Sequence, residues 1–472
     1  MSFRRLFLAT AFLHLAGFSA AAGAADGRPN VVVVMADDCT FRDLGTYGGQ
    51  AATPNLDRLA AEGMLFERCF QSAPMCSPTR HALYTGLEPV RSGAYPNHTR
   101  VYPDVKCVVQ YLHDLDYTVH LSGKSHVSPP QVFAWDTATG GNGAGNNPDM
   151  AEIDKLFAGR AAGEKPFCLF AMSNEPHGPW DKGDPSAYPP SSLTVPPHLA
   201  DTPLLRHIYS KYLAEITYFD GQVGQILDLL DRHGLADDTL VIVLSEQGDG
   251  FTAAKWFCYD NSLQSGLIVR WPGRIAAGTR TDAMVGYIDI VPTIVEAAGG
   301  KAPPEIDGRS FLGVLSGSAT SHRDLTFGLQ TTRGIHNGSD AYAVRTVRSD
   351  RYRLVWNLNH DAEFSNAMVT SGYFLSWEEA AAAGDEHAKF VVERHRRRPE
   401  WELYDVEADP YSLNNIADDP AYADTISELR SELEGWMRRQ GDEGIETELR
   451  AFERQGKRRA KAAAKKKRRR ES

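Results

Sequence analysis

The sequence predicts an α/β protein, with one large, mostly parallel sheet flanked by helices and a smaller C-terminal α+β domain. Three observations carry this reading. Short apolar runs rich in β-branched residues, such as Val31-Val32-Val33-Val34, recur between Pro, Gly and charged residues, the pattern of strands buried on both faces. Between them lie segments with apolar residues three and four apart, and strands that alternate with helices imply parallel connections. Near residue 320 the grammar changes to alternating strands joined by tight turns. At 472 residues the chain is long enough for a large core and a second unit.

The expected organisation is a signal peptide at 1–25, an α/β domain at 26–320, a smaller α+β domain at 321–445 and a basic disordered tail at 446–472. Residues 1–25 read Arg4-Arg5, an apolar run from Leu6 to Leu13, and Ala22-Gly23-Ala24, the layout of a cleaved export signal. The apolar run is short for a membrane span, and no later stretch approaches that length, so a soluble, secreted or periplasmic mature chain is expected. Six cysteines, Cys39, Cys69, Cys76, Cys107, Cys168 and Cys258, are too few for a disulfide scaffold of this size. The formal net charge is −11, but Lys457 to Arg470 holds ten of the fifty basic residues, leaving the body near −20. Such a tail suits a polyanion or an anionic surface through counterion release, and equally a solvated, solubilising end. Nothing points to a specific nucleic acid.

In chain order, Arg28 to Met35 reads as a buried strand that ends in Ala36-Asp37-Asp38. Ligands of open α/β sheets lie beyond the carboxyl ends of strands, and two adjacent carboxylates repel unless a cation lies between them. Thr53 to Gly63 carries helix signals: Thr-Pro at the start, apolar residues three apart and a closing Gly. It leads through Met64 to Phe70 to Met75-Cys76-Ser77-Pro78-Thr79-Arg80 and a helix-like run beyond. A Cys there stands at a helix N-terminus, where free backbone N–H groups favour negative charge, with Arg80 one turn later on the same face. A Cys in a turn is also commonly just a small buried hydrophobe.

Val105 to Leu115 reads as a helix and Tyr117 to Ser122 as a strand, followed by Gly123-Lys124-Ser125-His126, a candidate anion-binding and proton-transfer pair. Gln131 to Met150 is Gly/Asn-rich and is expected to be a surface loop. Pro166 to Ser173 is a third buried strand, with His177 just beyond it. Residues 207–234 place Ile208, Tyr212, Ile216, Phe219, Val223, Ile226 and Leu230 on one helical stripe that serves packing. Thr239 to Ser245 is the fourth strand, ending in Glu246-Gln247, and Lys255 follows. A strand at Leu267 to Pro272 and a helix at Asp289 to Gly299 complete the α/β pattern. Beyond residue 320, Tyr342 to Val347 and Tyr352 to Asn357 form a hairpin, Trp401 to Asp405 another strand and Ala423 to Arg439 a closing helix.

The strand-end residues Asp37, Asp38, Glu246 and Gln247 offer only oxygen ligands. Hard divalent cations, Ca²⁺ above all and also Mg²⁺, take such sets, whereas Zn²⁺ favours His and Cys. Arg80, Lys124, His126, His177 and Lys255 then form a cationic ring suited to a sulfate or phosphate group.

Cys76-x-Pro78-x-Arg80 resembles the signature of the type I sulfatases of the alkaline phosphatase superfamily, and the likeness runs from about residue 28 to residue 440. It includes the Asp37-Asp38 strand end, Gly123-Lys124-x-His126, Pro176-His177-x-Pro179, the late acidic-amide pair and Lys255. The resemblance implies an alkaline-phosphatase-like fold, Cys76 converted to formylglycine by a formylglycine-generating enzyme, and Cys76 joining Asp37, Asp38, Glu246 and Gln247 around the cation. It implies sulfate held by Lys124, Lys255 and His177, with His126 taking the proton that lets the product leave. One departure stands out: the family usually has Asp followed by Asn or His where this chain has Glu246-Gln247, each about 1.3 Å longer by one methylene. Gly338 to Asn359, with Arg348, Arg353 and Asn357, together with Gly123 to Val127, resembles the heparan N-sulfatase (sulfamidase) branch. A sulfated or N-sulfated glycan is therefore the implied substrate. The alternatives are a phosphodiester or phosphonate monoester hydrolase of the same superfamily and a non-enzymatic, polyanion-binding envelope protein.

Overall fold

The computed structural model describes residues 27–141, 146–161 and 163–455; the signal peptide expected at 1–25 and the polybasic stretch from Lys457 lie outside the described residues. The larger sheet has nine strands: β1 (Asn30–Met35), β2 (Met64–Phe70), β3 (Thr118–Lys124), β4 (Thr137–Gly141), β5 (Phe167–Met172), β6 (Thr239–Leu244), β7 (Gln264–Arg270), β8 (Thr279–Thr281) and β9 (Val285–Gly286). Their order is β4-β3-β5-β1-β6-β7-β2-β8, with β9 also on β2. Only β7 runs against the others, being antiparallel to both β6 and β2. The carboxyl ends of β1, β2, β3, β5 and β6 therefore open on one side.

Position in β1 decides which core a residue joins. Val31, Val33 and Met35 enter one apolar cluster and Val32 and Val34 the other, so both faces of the strand are dry. The first face is covered by α2 (Cys76–Thr85), through Leu83 and Tyr84, and by α5 (Ile290–Ala297). On the second lie α1 (Pro54–Glu62), α3 (Met150–Ala161) and α4 (Pro203–Arg232). The stripe expected at 207–234 is the buried face of α4, extended at its start by Pro203 in the first turn and by Thr202, whose hydroxyl accepts from Leu205 N.

The smaller sheet is antiparallel, in the order β10 (Thr326–Gln330), β11 (Val344–Arg348), β12 (Tyr352–Asn357), β13 (Trp401–Asp405). One face packs on Leu429, Leu433, Trp436 and Met437 of α8 (Ala423–Gln440). The other meets Phe257, Cys258 and Tyr259, so the small sheet backs the loop that carries Lys255.

Three expectations are corrected. The loop expected at Gln131 to Met150 contains β4, whose backbone pairs in parallel with β3 from His120 to Lys124 and so extends the sheet edge. The break expected at 320/321 is not clean: α6 (Gly372–Ala382) and α7 (Glu386–Arg396) return to the large sheet's outer layer, where Phe374, Trp377 and Val391 join the core of α4. The tail expected from residue 446 is ordered through Gln455, in short helices at Ile445–Leu449 and Ala451–Arg454, with Arg454 Nε donating to Gly93 O and Gln455 Nε2 to Asn97 O. All six cysteines are buried and free.

Candidate active site

β1 and β6 are parallel neighbours, and the hydrogen bonding continues past their ends. Ala36 N donates to Leu244 O, Asp37 N to Glu175 O and Cys39 N to Glu246 O, at 3.1, 3.0 and 2.9 Å. This splint holds Asp37 and Asp38 beside Glu246 and Gln247. Asp38, His126 and Gln247 adopt positive φ of 57°, 52° and 35°, as do Ala253 (56°) and Trp256 (68°) around Lys255. Such conformations cost of order 1–3 kcal/mol each and cluster where surrounding structure over-determines them, typically at functional sites.

Ligand oxygens of Asp37, Asp38 and Glu246 all lie within 4.8 Å of one another, fully buried. Both oxygens of Asp37, both of Glu246 and Gln247 Oε1 accept no hydrogen bond among the described residues. Gln247 Nε2 donates to Asp38 Oδ1 at 2.5 Å, which leaves its amide oxygen unsatisfied. Asp37 Oδ2 and Glu246 Oε1 face cationic side chains, but Asp37 Oδ1, Glu246 Oε2 and Gln247 Oε1 have no partner, and buried oxygens left so beside three carboxylates fit a hard divalent cation. The longer Glu246 side chain remains within the oxygen cluster, and Gln247 meets it through the amide nitrogen on Asp38.

Cations surround it. Lys124 Nζ is ion-paired with Asp37 Oδ2. Lys255 Nζ stands 2.6 Å from Asp38 Oδ2, and His177 Nε2 lies 3.5 Å from the same oxygen while its Nδ1 bonds Gly178 O. His177 is the least buried of these side chains, 29% exposed, so it marks the solvent side. Burial pushes the Asp38 carboxyl up, but Lys255 and His177 outweigh it and hold it below the usual value. Glu246 is shifted upward by burial, against the pull of Arg80 and Lys124. Lys124 is pushed down to about 7 by burial and His177 to about 4, also by burial.

Cys76 is the first residue of α2, capped by no side chain, and 3% exposed. Burial pushes its thiol up to about 12. Ser77 Oγ donates to His126 O at 3.1 Å, tying the helix start to the end of β3. Gly123, at φ +98°, permits this approach, because a Cβ there would run into the Met172 carbonyl.

Arg80 departs from its expected place in the cationic ring. It is fully buried, with Nε 3.0 Å from Glu246 Oε1, Nη2 3.8 Å from Asp37 Oδ2 and Nη1 donating to Lys124 O at 2.9 Å. Its three contacts position the carboxylates and the end of β3 from behind, because the same-face spacing from Cys76 points it into the protein. Arg348 and Arg353, of the stretch that resembles the sulfamidase branch, are buried in ion pairs with Asp260, and Asn357 donates to Glu402. One residue was not anticipated: His98 Nδ1 lies 3.0 Å from His126 Nε2, and no strand end or motif marks Asn97-His98-Thr99 in the sequence.

A sulfatase family model matches residues 29–300, and a model described as N-sulphoglucosamine sulphohydrolase, C-terminal, matches residues 250–366. An ulvan-active sulfatase of Formosa agariphila is 31% identical over 422 residues, covering 88% of this chain and 81% of the relative. Human N-sulphoglucosamine sulphohydrolase is 29% identical over 463 residues, covering 88% and 91%. Among solved structures, a protein in complex with its substrate D-glucosamine-2-N,6-O-disulfate superposes with a TM-score of 0.71 at 20% identity, covering 88% of this chain and 99% of the other. The phosphonate monoester hydrolase of Agrobacterium radiobacter shares the fold with a TM-score of 0.68 at 20% identity, covering 88% and 96%.

Proposed function

We propose, on the premise that this chain belongs to the sulfatase family and is a sulfatase, that it hydrolyses sulfate ester or N-sulfate groups of a sulfated glycan, using Cys76 converted to formylglycine. The observation that carries this reading is the buried cluster of Asp37, Asp38 and Glu246 carboxylates, with Asp37 Oδ1, Glu246 Oε2 and Gln247 Oε1 left without a partner, beside a Cys at a helix N-terminus. Ca²⁺ or Mg²⁺ held by these four residues and modified Cys76 would polarise the oxygen nucleophile that formylglycine supplies.

The chain's own residues do the rest. Lys124 and Lys255 flank the two aspartates and bring positive charge to where sulfate oxygens gather more negative charge in the transition state. His177, on the solvent side, faces the leaving group. His126 sits in a site that burial, with Lys124 and His98 adding to it, keeps neutral at working pH, so its ring can accept a proton as the product is expelled. Arg80 holds the carboxylates and does not touch substrate.

The glycan class is supported by the relatives, an ulvan-active sulfatase and an N-sulphoglucosamine sulphohydrolase. The Arg-Arg, apolar and Ala-x-Ala sequence of residues 1–25 supports export, with maturation by a formylglycine-generating enzyme, and the polybasic end supports contact with a polyanion or anionic surface.

The test has two parts. Peptide mass spectrometry of enzyme made with its maturation system should find formylglycine at position 76, and free thiol in fully active enzyme would refute the nucleophile. Desulfation should be screened on defined O- and N-sulfated oligosaccharides with phosphodiesters and phosphonate monoesters alongside. Turnover of the phosphorus esters alone would overturn the sulfated-glycan assignment.

A further inference from the structure

A cavity of about 470 Å³ lies between α7 and β13, and no residue lining it belongs to the catalytic cluster. Its lining includes Phe390, Arg394, Arg397, Arg398, Glu402 and Tyr404. Arg398 is only 4% exposed, yet it forms no ion pair within 4 Å among the described residues, and its Nε and Nη2 make no hydrogen bond. Its guanidinium is caged by rings, 4.8 Å from Phe257, 4.8 Å from Tyr342 and 4.3 Å from Phe364. Those rings stabilise a cation but leave its in-plane donors unused. Arg394, stacked 4.5 Å over Tyr259, donates to the Ser412 carbonyl and likewise has no carboxylate partner.

The acidic groups on the lining offset this charge only in part, because Glu402 attracts both guanidiniums without being within ion-pair reach of either. Glu402 already accepts from Asn357 Nδ2, Tyr259 Oη and Tyr404 Oη, which engage both its oxygens, and Glu393 is exposed at the rim. Buried charges are normally paired, so buried Arg398 and half-buried Arg394 beside one committed carboxylate leave a positive cavity with donors to spare. Arginine forks match tetrahedral oxyanions. At the mouth, Phe390 is 40% exposed and offers an aromatic face to a sugar ring, with Arg397 beside it, exposed and in a loose 3.8 Å ion pair with Glu363 that leaves donors over.

We propose that this cavity is a second, non-catalytic site for a sulfated saccharide, in which a sulfate group seats on Arg398 and Arg397 while the sugar stacks on Phe390. The choice of a saccharide as ligand rests on the proposed function; the oxyanion chemistry does not. Such a site would hold a glycan chain while its terminal or neighbouring sulfate is removed elsewhere on the molecule.

Isothermal titration of full chain carrying unmodified Cys76, which does not turn over, tests this with a sulfated heparan-type hexasaccharide, its desulfated counterpart and sodium sulfate. Arg398→Met keeps an apolar stem inside the ring cage, and Arg397→Ala alters only an exposed rim residue, so it decides the matter if the first variant fails to fold. Arg398→Met should weaken hexasaccharide binding about tenfold or more, and Arg397→Ala about threefold, as expected when charge-assisted contacts are lost. Mature forms of both should hydrolyse a sulfated monosaccharide at the wild-type rate. Unchanged hexasaccharide affinity in folded variants would overturn the proposal, and sodium sulfate binding as tightly as the hexasaccharide would overturn the saccharide assignment. Variant-sensitive binding of a hexasaccharide that the mature enzyme does not cleave would sink the proposed function and leave this site standing; cleavage without variant-sensitive binding would do the reverse.

Discussion

Arg80 and His126 show how little of a residue's work is visible from its charge. Arg80 sends its three nitrogens to three different elements, Glu246 after β6, Asp37 after β1 and the Lys124 carbonyl at the end of β3. A lysine has one nitrogen and no fork, so it cannot span them. Arg80→Lys should therefore lose several kcal/mol of stability, read by urea unfolding, because buried carboxylates are left without their partner. Stability within about 0.5 kcal/mol of wild type would show that the guanidinium is not the clamp. His126 gives the opposite expectation: burial keeps it neutral, and it sits on the catalytic side of β3. His126→Ala should lower kcat by about 10²-fold or more with little change in KM, the usual worth of a positioned acid or base. His98→Ala, which removes only the outer partner of that ring, should lower kcat less. A fall in melting temperature with kcat unchanged would assign His126 a purely structural place.

At the scale of elements, the strands were the most legible part of the chain. β1, β5 and β6 fall within a residue or two of the runs that announced them, because a parallel strand buried on both faces must be almost wholly apolar. The site followed from this, since Asp37, Lys124, His177 and Glu246 are each found just beyond an apolar run. What stayed hidden depends on distant partners. β4 is an edge strand ending in Gly140-Gly141, stabilised by β3's backbone and by no side-chain pattern of its own. Arg348 and Arg353 look like free cations in sequence, but their counter-ion, Asp260, lies far away in the chain. Those two arginines hold the Asp260 carboxyl down to about 2, against the upward push of burial. A carboxyl with a depressed folded pKa adds stability that is complete above its unfolded pKa and disappears as pH falls through the folded one. The stability difference between wild type and Asp260→Asn should thus be full near neutral pH and shrink between about pH 4 and pH 2. A difference that stays constant across that window would show that charge on Asp260 is not what joins the small sheet to the Lys255 loop. Trp377, wholly buried where α6 meets the large sheet's outer layer, tests the shared domain boundary. Trp377→Ala should cost about 3–5 kcal/mol and lower the cooperativity of a single unfolding transition. Two independent transitions already present in wild type would restore the boundary near residue 320.

At the scale of the whole molecule, an acidic body near −20 gathers its most concentrated buried negative charge at the join of β1 and β6. Lys124, Lys255 and Arg80 neutralise part of it, but both Asp37 oxygens, both Glu246 oxygens and Gln247 Oε1 still lack hydrogen bonds. A fold that concentrates carboxylates this way is most stable with a cation bound, and a ligand at a hundred times its Kd adds about 2.7 kcal/mol. Removal of divalent metal with a chelator should therefore lower the melting temperature by a few degrees as well as abolish hydrolysis. The melting readout matters because it does not depend on Cys76 being modified, so it can be taken on unmodified protein. Ca²⁺ or Mg²⁺ should restore both properties, while Zn²⁺, which prefers nitrogen and sulfur, should restore neither fully. Glu246→Ala should abolish the metal-dependent part of the melting shift, since it removes one of the three carboxylates. Metal-free protein that melts at the same temperature and retains full activity would refute a cation at this site, and the orphaned oxygens would then need another partner.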